Sequence, residues 1–168
     1  MTGLLGGRFD PPHNGHVALA RAALEQLPID RLIVLVAERP GHADAVASAE
    51  DRLRMAEGAF ERLGEVVLDS HPFTVDAVRG GRFGDAYFIV GADQVAEFEN
   101  WKDPDEILRW VQLAVGTRSG HEGAVTFDFD SPDISATEIR ERVARGEPID
   151  NLVPPPVARI IGERGLYR

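Results

Sequence analysis

A glycine pair followed closely by two histidines, in residues 6–16 (GGRFDPPHNGH), constrains the fold more than any other stretch of the chain. A short apolar run precedes it, and residues 17–27 after it carry apolar side chains at helical spacing. The order predicts a strand, a glycine-rich turn and a helix. Gly6 and Gly7 lack a Cβ, so the backbone N–H groups of the turn can approach a ligand closely. Together with the helix N-terminus, which attracts anions, these amides predict a phosphate site.

His13 and His16 lie three residues apart, which places both imidazoles on one face of the first helical turn if the helix begins near Asn14 or Gly15. Two imidazoles beside unpaired N–H groups suit the binding of a phosphate. The same pair could instead hold zinc together with Asp10, or could serve only to cap the helix. The spacing alone leaves these three interpretations open.

Apolar strand patterns alternate with helical patterns along the rest of the chain. Helix starts are predicted at Ser48, Asp103 and Ser135, and Thr74 is expected to cap a short helix. We therefore expect an α/β fold, a Rossmann-like doubly wound parallel sheet with helices on both faces, in a single domain over residues 1–168. Ligands of such sheets bind at the carboxyl ends of the strands, near the point where the strand order reverses. Beyond the first strand, apolar runs predict strands at residues 32–37, 65–68, 86–90, 113–115 and 125–127.

The composition argues against several classes of function. The chain has no cysteine, so it forms no disulfide and offers no thiol nucleophile or thiolate metal ligand. It has no apolar run of transmembrane length and no signal-peptide pattern, and we expect a cytoplasmic protein without membrane contact. A net charge of −10 argues against broad binding to nucleic acid. The sequence makes no prediction of oligomeric state.

A second cluster follows a predicted strand, where Asp93 comes two residues after Gly91 and Trp101 stands in a polar context. An aspartate after a strand-ending glycine can accept hydrogen bonds from ribose hydroxyls, or it can cap the helix that follows. The indole can stack on a flat ring, or it can be a partly buried surface tryptophan. Both residues are candidates for binding a nucleoside.

A third cluster, Ser135, Thr137 and Arg140, opens another predicted helix. Hydroxyls, unpaired N–H groups and a guanidinium converge there on a candidate anion site. A capped surface helix with Arg140 in solvent would give the same pattern. Arg118 follows another predicted strand, where it could bind an anion or pair with an acidic neighbour.

The amino-acid sequences of these clusters resemble the motifs of one superfamily. Residues 6–16 are similar to GGxFDPxHxGH, the signature of the HxGH nucleotidylyltransferases that make dinucleotide cofactors. The GAD…W segment at residues 91–101, the ISSTxIR motif at 134–140, the VxxR turn and the YT segment narrow the resemblance to the bacterial nicotinate-nucleotide adenylyltransferases. This resemblance implies transfer of AMP from ATP to nicotinate mononucleotide by direct in-line attack, forming deamido-NAD and pyrophosphate in NAD biosynthesis.

The resemblance also implies roles for individual residues. His13, His16 and Arg140 would be catalytic, and Mg²⁺ would accompany ATP without a cage of protein ligands. The residues implied to contact ATP are Gly6, Gly7, Arg8, Phe9, His13, His16, Arg118, Ser135, Thr137 and Arg140. Those implied to contact the mononucleotide are Thr74, Asp93, Trp101 and His42.

The chain departs from the family pattern at Ala136, where the motif has its second serine, and at Ala43, where a lysine is usual. One hydroxyl and one basic side chain are therefore missing near the implied substrates. Two alternatives stay open: an adenylyltransferase for nicotinamide mononucleotide or another phosphorylated acceptor, and a non-catalytic nucleotide-binding sensor.

Overall fold

One parallel sheet forms the centre of the protein. Its strands are β1 (Thr2–Gly7), β2 (Arg31–Ala37), β3 (Glu65–Asp69), β4 (Ala86–Gly91), β5 (Gln112–Thr117) and β6 (Val125–Asp128). In this computed structural model, which describes residues 1–41 and 44–168, the six strands are all parallel and stand in the order β3-β2-β1-β4-β5-β6. The order reverses at β1, which pairs with β2 on one side and β4 on the other. This arrangement opens a crevice at the carboxyl ends of β1 and β4.

Helices cover both faces of the sheet. In the described ranges they are α1 (Asn14–Gln26), α2 (Ala49–Phe60), α3 (Thr74–Val78), α4 (Ala92–Ala96), α5 (Pro104–Trp110), α6 (Ala136–Ala144) and α7 (Pro155–Arg164). Leu4 and Leu5 are both buried but point to opposite faces of β1, because side chains alternate along a strand. Leu5 belongs to the core that contains Leu19 of α1 and Phe60 of α2, and Leu4 to the core that contains Ile107 of α5. The predicted doubly wound α/β fold is confirmed.

A third, smaller core fixes the C-terminal segment against the rest of the protein. Met55 of α2, Ile139 of α6 and Val157 of α7 are fully buried in it. The same segment reaches the start of α1, where the Asn14 N–H donates to the Leu152 carbonyl at 2.9 Å. The C-terminal segment is thus packed beside the histidine turn.

The predicted helix caps have mixed outcomes. Ser48 and Ser135 each accept a hydrogen bond at 3.1 Å from the backbone N–H three residues further on, as predicted. Asp103 occupies the N-cap position of α5, but within the described chain its carboxylate makes no capping bond. The prediction for Thr74 is wrong, because Phe73 takes the extended backbone of the N-cap position and Thr74 becomes the first residue of α3.

Candidate active site

A cleft of about 580 Å³ lies at the carboxyl edge of the sheet, where β1 and β4 meet. Its walls come from the turn after β1, the ends of β2 and β3, helix α4 and the start of α6. The predicted site residues that line it are Gly6, Gly7, Arg8, Phe9, His16, Thr74, Asp93, Trp101 and Arg140. Among the described residues, the predicted ones that do not line it are His13, Arg118, Ser135 and Thr137. The remaining prediction, His42, lies outside the described residues.

The two histidines cap α1 and stack on each other. The Nδ1 of His13 accepts a hydrogen bond from the Gly15 N–H at 3.1 Å, and the Nδ1 of His16 accepts one from the His13 N–H at 3.0 Å. Their ring centroids are 3.7 Å apart. Because each Nδ1 is an acceptor, the neutral form of each ring carries its proton on Nε2. Helix capping therefore leaves an Nε2–H donor on each ring, so capping and phosphate binding are compatible.

The zinc interpretation finds no support around these rings. Both Nδ1 atoms are occupied by backbone donors. Within residues 1–41 and 44–168, no group of three His, Cys, Asp or Glu side chains is placed to hold a metal ion.

Burial keeps both imidazoles uncharged at neutral pH. It lowers the pKa of His13 to about 4, and it lowers the pKa of His16 well below the ordinary value. The neighbouring His13 lowers the pKa of His16 further by electrostatic repulsion. The histidines thus offer neutral N–H donors in the unliganded protein, and positive charge in this part of the cleft must come from arginine.

Arg140 supplies that charge in a fixed position. Its Nη1 donates to the Asp10 carbonyl at 2.9 Å and its Nη2 to the Thr137 hydroxyl at 3.3 Å. The alternative that Arg140 merely faces solvent is therefore wrong, since the guanidinium lines the cleft and is tied to the histidine turn.

The carboxylate of Asp10 anchors the histidine turn from below the surface. It is buried and accepts hydrogen bonds from the N–H groups of Val46 and Ala47, at 2.6 and 3.0 Å, and from the Tyr167 hydroxyl at 2.7 Å. Burial and the bond to this carboxylate raise the pKa of Tyr167, so the hydroxyl stays a donor. Asp10 is thus occupied in holding the loop.

Arg52 is a buried cation that our sequence interpretation missed. Its side chain is only 1% exposed, and it donates to four carbonyls at 2.6–3.1 Å. These carbonyls belong to three segments around the cleft: the β1 turn, the end of β2 and the loop before α2. Arg52 lies on the same helical face as Ala56 and Phe60, so an arginine in an apolar stripe was the available signal. The four acceptors are Arg8, Ala37, Glu38 and Ala47.

Asp93 and Trp101 stand on the β4 side of the cleft. The N-cap of α4 is Gly91, whose N–H donates to the Gln94 side chain, and within the described chain the Asp93 carboxylate makes no hydrogen bond. The capping alternative for Asp93 is therefore wrong. Trp101 is half-buried, with its ring centroid 5.9 Å from that of Phe88. An unpaired carboxylate and a supported indole in one cleft suit the recognition of a ribose and a flat base.

The wall next to β3 holds a pair that the sequence interpretation did not single out. The Nδ1 of His71 lies 2.6 Å from the Asp69 Oδ1, and the His71 N–H donates to the same oxygen at 3.2 Å. Both residues line the cleft. A carboxylate at a strand end, two residues before a histidine, was the signal in the sequence.

The third predicted cluster is only partly at the cleft. Ser135 uses its hydroxyl to cap α6. Arg118 is exposed, and its Nη2 lies 3.6 Å from the Asp130 Oδ2. This agrees with the alternative interpretation, in which Arg118 pairs with an acidic neighbour. Ala136 does line the cleft, so the hydroxyl that the family motif would place there is absent from the cleft wall itself.

The doubly wound sheet, its crevice and the turn of glycines and histidines define a Rossmann-like nucleotide-binding protein. The model of the cytidylyltransferase-like family matches residues 4–142.

Full-length relatives narrow the class. A chain from Chlorobaculum parvum, named a probable nicotinate-nucleotide adenylyltransferase, is 39% identical over 195 residues covering 99% of this chain and 98% of the relative. A Bordetella avium chain of the same name is 37% identical and covers 99% and 97%. A Vibrio parahaemolyticus crystal structure, described provisionally as this enzyme, shares the fold with a TM-score of 0.66 at 18% identity, covering 99% and 94%. The chain belongs to the nicotinate-nucleotide adenylyltransferase family, as the resemblance predicted.

Proposed function

We propose that the protein transfers the AMP part of ATP to nicotinate mononucleotide, forming deamido-NAD and pyrophosphate. The observation that carries the proposal is one cleft that brings together two anion-binding candidates, His16 and Arg140, and two nucleoside-binding candidates, Asp93 and Trp101. Its volume, about 580 Å³, falls in the range of small-molecule sites. The names of the full-length relatives support nicotinate mononucleotide as the acceptor.

In the proposed mechanism, positioning and charge stabilisation matter more than proton transfer. A phosphate monoester is largely ionised at neutral pH, so its oxygen can attack the α-phosphorus of ATP in line without a general base. The Nε2–H of His16 donates to the reacting phosphoryl group, and Arg140 stabilises negative charge on the leaving pyrophosphate. Gly6 and Gly7, the last residues of β1, line the cleft beside these two groups. His13 acts through His16, whose ring it supports by stacking.

Mg²⁺ belongs to the proposal as a companion of ATP. Residues 1–41 and 44–168 contain no cluster of side chains suited to a metal, and the Asp10 carboxylate already accepts three hydrogen bonds. We expect the phosphates of ATP and water to hold the ion, which is the usual arrangement for Mg²⁺. Bound there, it offsets phosphate charge. Chelation by EDTA should abolish turnover, and added Mg²⁺ should restore it.

The deciding experiment measures pyrophosphate release from ATP with nicotinate mononucleotide and nicotinamide mononucleotide in parallel. We expect a higher kcat/KM with nicotinate mononucleotide. A preference for nicotinamide mononucleotide, or turnover of phosphopantetheine alone, would show that the proposed acceptor is wrong. The proposed class of reaction, the transfer of AMP from ATP to a phosphorylated acceptor, would still hold.

The alternative of a non-catalytic sensor rests on Ala136 at the cleft wall and on Ala43, where the family usually has a lysine. It requires ATP binding without pyrophosphate release on any of these acceptors, which calorimetry and the release assay measure together.

The proposal also covers where the protein works and which molecules it binds. No helix of the described part of the chain is long and apolar enough to cross a membrane. We propose that the protein works in the cytoplasm, on ATP and nicotinate mononucleotide and not on nucleic acid or membranes. The net charge of −10 supports the exclusion of nucleic acid.

A further inference from the structure

Tyr167 follows α7, yet its side chain reaches the histidine turn. Its hydroxyl donates to the Asp10 Oδ1 at 2.7 Å, and the backbone carbonyl of Asp10 accepts from the Arg140 Nη1 at 2.9 Å. One residue, Asp10, therefore connects the tyrosine hydroxyl to the guanidinium that the mechanism assigns to the leaving pyrophosphate. Tyr167 itself does not line the cleft, so it can affect the reaction only through these neighbours.

The backbone on both sides of the Asp10 carboxylate is held in an unfavourable conformation. Phe9, directly before Asp10, has a φ of 51°, and Tyr167 has a φ of 65°. Residues with a bulky side chain rarely adopt this left-handed region, and they stay in it only where the surrounding structure holds them. Because backbone strain of this kind concentrates at functional sites, the two aromatic residues indicate that the contact with Asp10 serves the site.

The end of α7 does not account for the conformation of Tyr167. Gly165 already takes the left-handed conformation that ends the helix, and the Leu166 N–H donates to the Ile161 carbonyl at 3.0 Å. The ring of Tyr167 packs against the third core, but this packing does not involve the hydroxyl. The hydroxyl is thus the group whose position the contact with Asp10 explains.

The hydroxyl completes the set of donors around a buried carboxylate. The oxygens of Asp10 also accept from the N–H groups of Val46 and Ala47, so three donors surround them. Burial and the bond to Asp10 raise the pKa of Tyr167, and the nearby charge of Arg140 partly offsets this increase. Without the hydroxyl, a carboxylate lone pair would be free beside a guanidinium, and such a pair attracts strongly. The hydroxyl therefore keeps Asp10 from drawing Arg140 away from a phosphate.

We infer that Tyr167 is a positioning residue, whose hydroxyl holds Asp10 so that Arg140 stays directed at the leaving pyrophosphate. The inference rests on the proposed function, because it concerns the same reaction. It extends the machinery of that reaction to a residue outside the cleft, which contacts neither ATP nor the mononucleotide.

Tyr167→Phe tests the inference, because it removes the hydroxyl and keeps the ring in the third core. The assay measures pyrophosphate release at varied nicotinate mononucleotide and saturating ATP, and calorimetry with ATP counts the binding sites to which kcat is referred. Arg140 acts on charge that develops in the transition state, so kcat should fall roughly 10-fold while KM for the mononucleotide changes less than about 2-fold.

A double-mutant cycle with Arg140→Ala distinguishes positioning from a general structural effect. If the hydroxyl acts through Arg140, adding Tyr167→Phe to the Arg140→Ala protein should leave its kcat unchanged. Independent effects would multiply instead. Tyr87→Phe is the matched control, because Tyr87 is the other tyrosine of the chain, is buried on β4 and does not line the cleft; it should leave kcat unchanged.

Three results would overturn the inference. The first is a kcat for folded Tyr167→Phe that equals the wild-type value, and the second is a cycle in which the two effects multiply. The third is a Tyr167→Phe protein that does not fold in a thermal melt, since the hydroxyl would then serve the fold as a whole. Each leaves the proposed function intact if the wild type releases pyrophosphate with nicotinate mononucleotide. A wild type without this activity would remove both.

Discussion

Replacing Arg52 by methionine tests whether one buried guanidinium holds the cleft segments together. Methionine keeps an unbranched apolar side chain in place of the aliphatic part of arginine and removes every hydrogen-bond donor. The substitution breaks the bonds to the carbonyls of Arg8, Ala37, Glu38 and Ala47.

The expected loss of stability follows from the position of each bond. The bond to Ala47 is buried, and an unsatisfied buried carbonyl costs about 1–3 kcal/mol. The other three bonds are partly exposed, so water can replace the donor, and each contributes about 0.5–1.5 kcal/mol. Removing a desolvated charge offsets part of the loss. We expect the free energy of unfolding to fall by about 3–5 kcal/mol and Tm to fall by roughly 10 °C.

Thermal and urea unfolding measure this loss, and the same helix provides the control. Arg54 has a side chain that is 54% exposed and pairs with exposed Glu50, so Arg54→Met should change stability by less than about 0.5 kcal/mol. Arg52→Lys keeps the charge but not the planar fork, and should fall between the two. A melting temperature for Arg52→Met within about 2 °C of Arg54→Met would refute the reasoning.

Three further variants test the cleft and the histidine turn beside it. His16→Ala should lower kcat by roughly 10²- to 10³-fold, as for one transition-state donor; near-normal kcat in a folded protein would remove His16 from the mechanism. Trp101→Ala should raise KM for the mononucleotide roughly 10-fold, as for loss of one stacking contact, while the affinity for ATP measured by calorimetry is largely kept. An equal loss of affinity for both ligands would indicate that the tryptophan has a structural role. Burial lowers the pKa of His13 from 6.5 to about 4, so its stabilising effect is complete above the higher value and is lost as the pH falls towards the lower one. His13→Asn, which can still cap α1, should therefore make the acid side of the Tm–pH profile shallower, and an unchanged profile would contradict the assignment.

The sheet and the turn were predictable because their patterns are local and their alternatives are few. Continuous apolar runs such as residues 32–37 suit strands covered on both faces. The turn follows β1 as predicted, although Gly6 and Gly7, which we expected in the turn, are the last two residues of the strand. The parallel order then brings the ends of β1 and β4 together, which places Asp93 and Trp101 in the same cleft as His16. Alternation of strands and helices was sufficient for this result.

The sequence did not predict which residues near the loops line the cleft, cap a helix or contact distant segments, because this depends on the path of each loop. Ser135 and Arg140 belong to one motif, yet only Arg140 lines the cleft, because the serine hydroxyl is used in capping α6. Phe73, which precedes Thr74, has the extended backbone of an N-cap residue. The sequence does not show which of these two residues takes the N-cap position. The contacts of Arg52 join three segments that are distant in sequence.

The bond between Tyr167 and Asp10 joins residues 157 positions apart, and this separation affects how the site is assembled. Contacts of such long range close large loops and form late relative to local structure. A fragment that ended at residue 150 would contain the six described strands, His13, His16 and Arg140. It would lack the hydroxyl that holds Asp10 and the Leu152 carbonyl that receives the first N–H of α1. The order of the histidine turn is therefore a property of the whole chain, completed only when the C-terminal segment has folded back onto the start of α1.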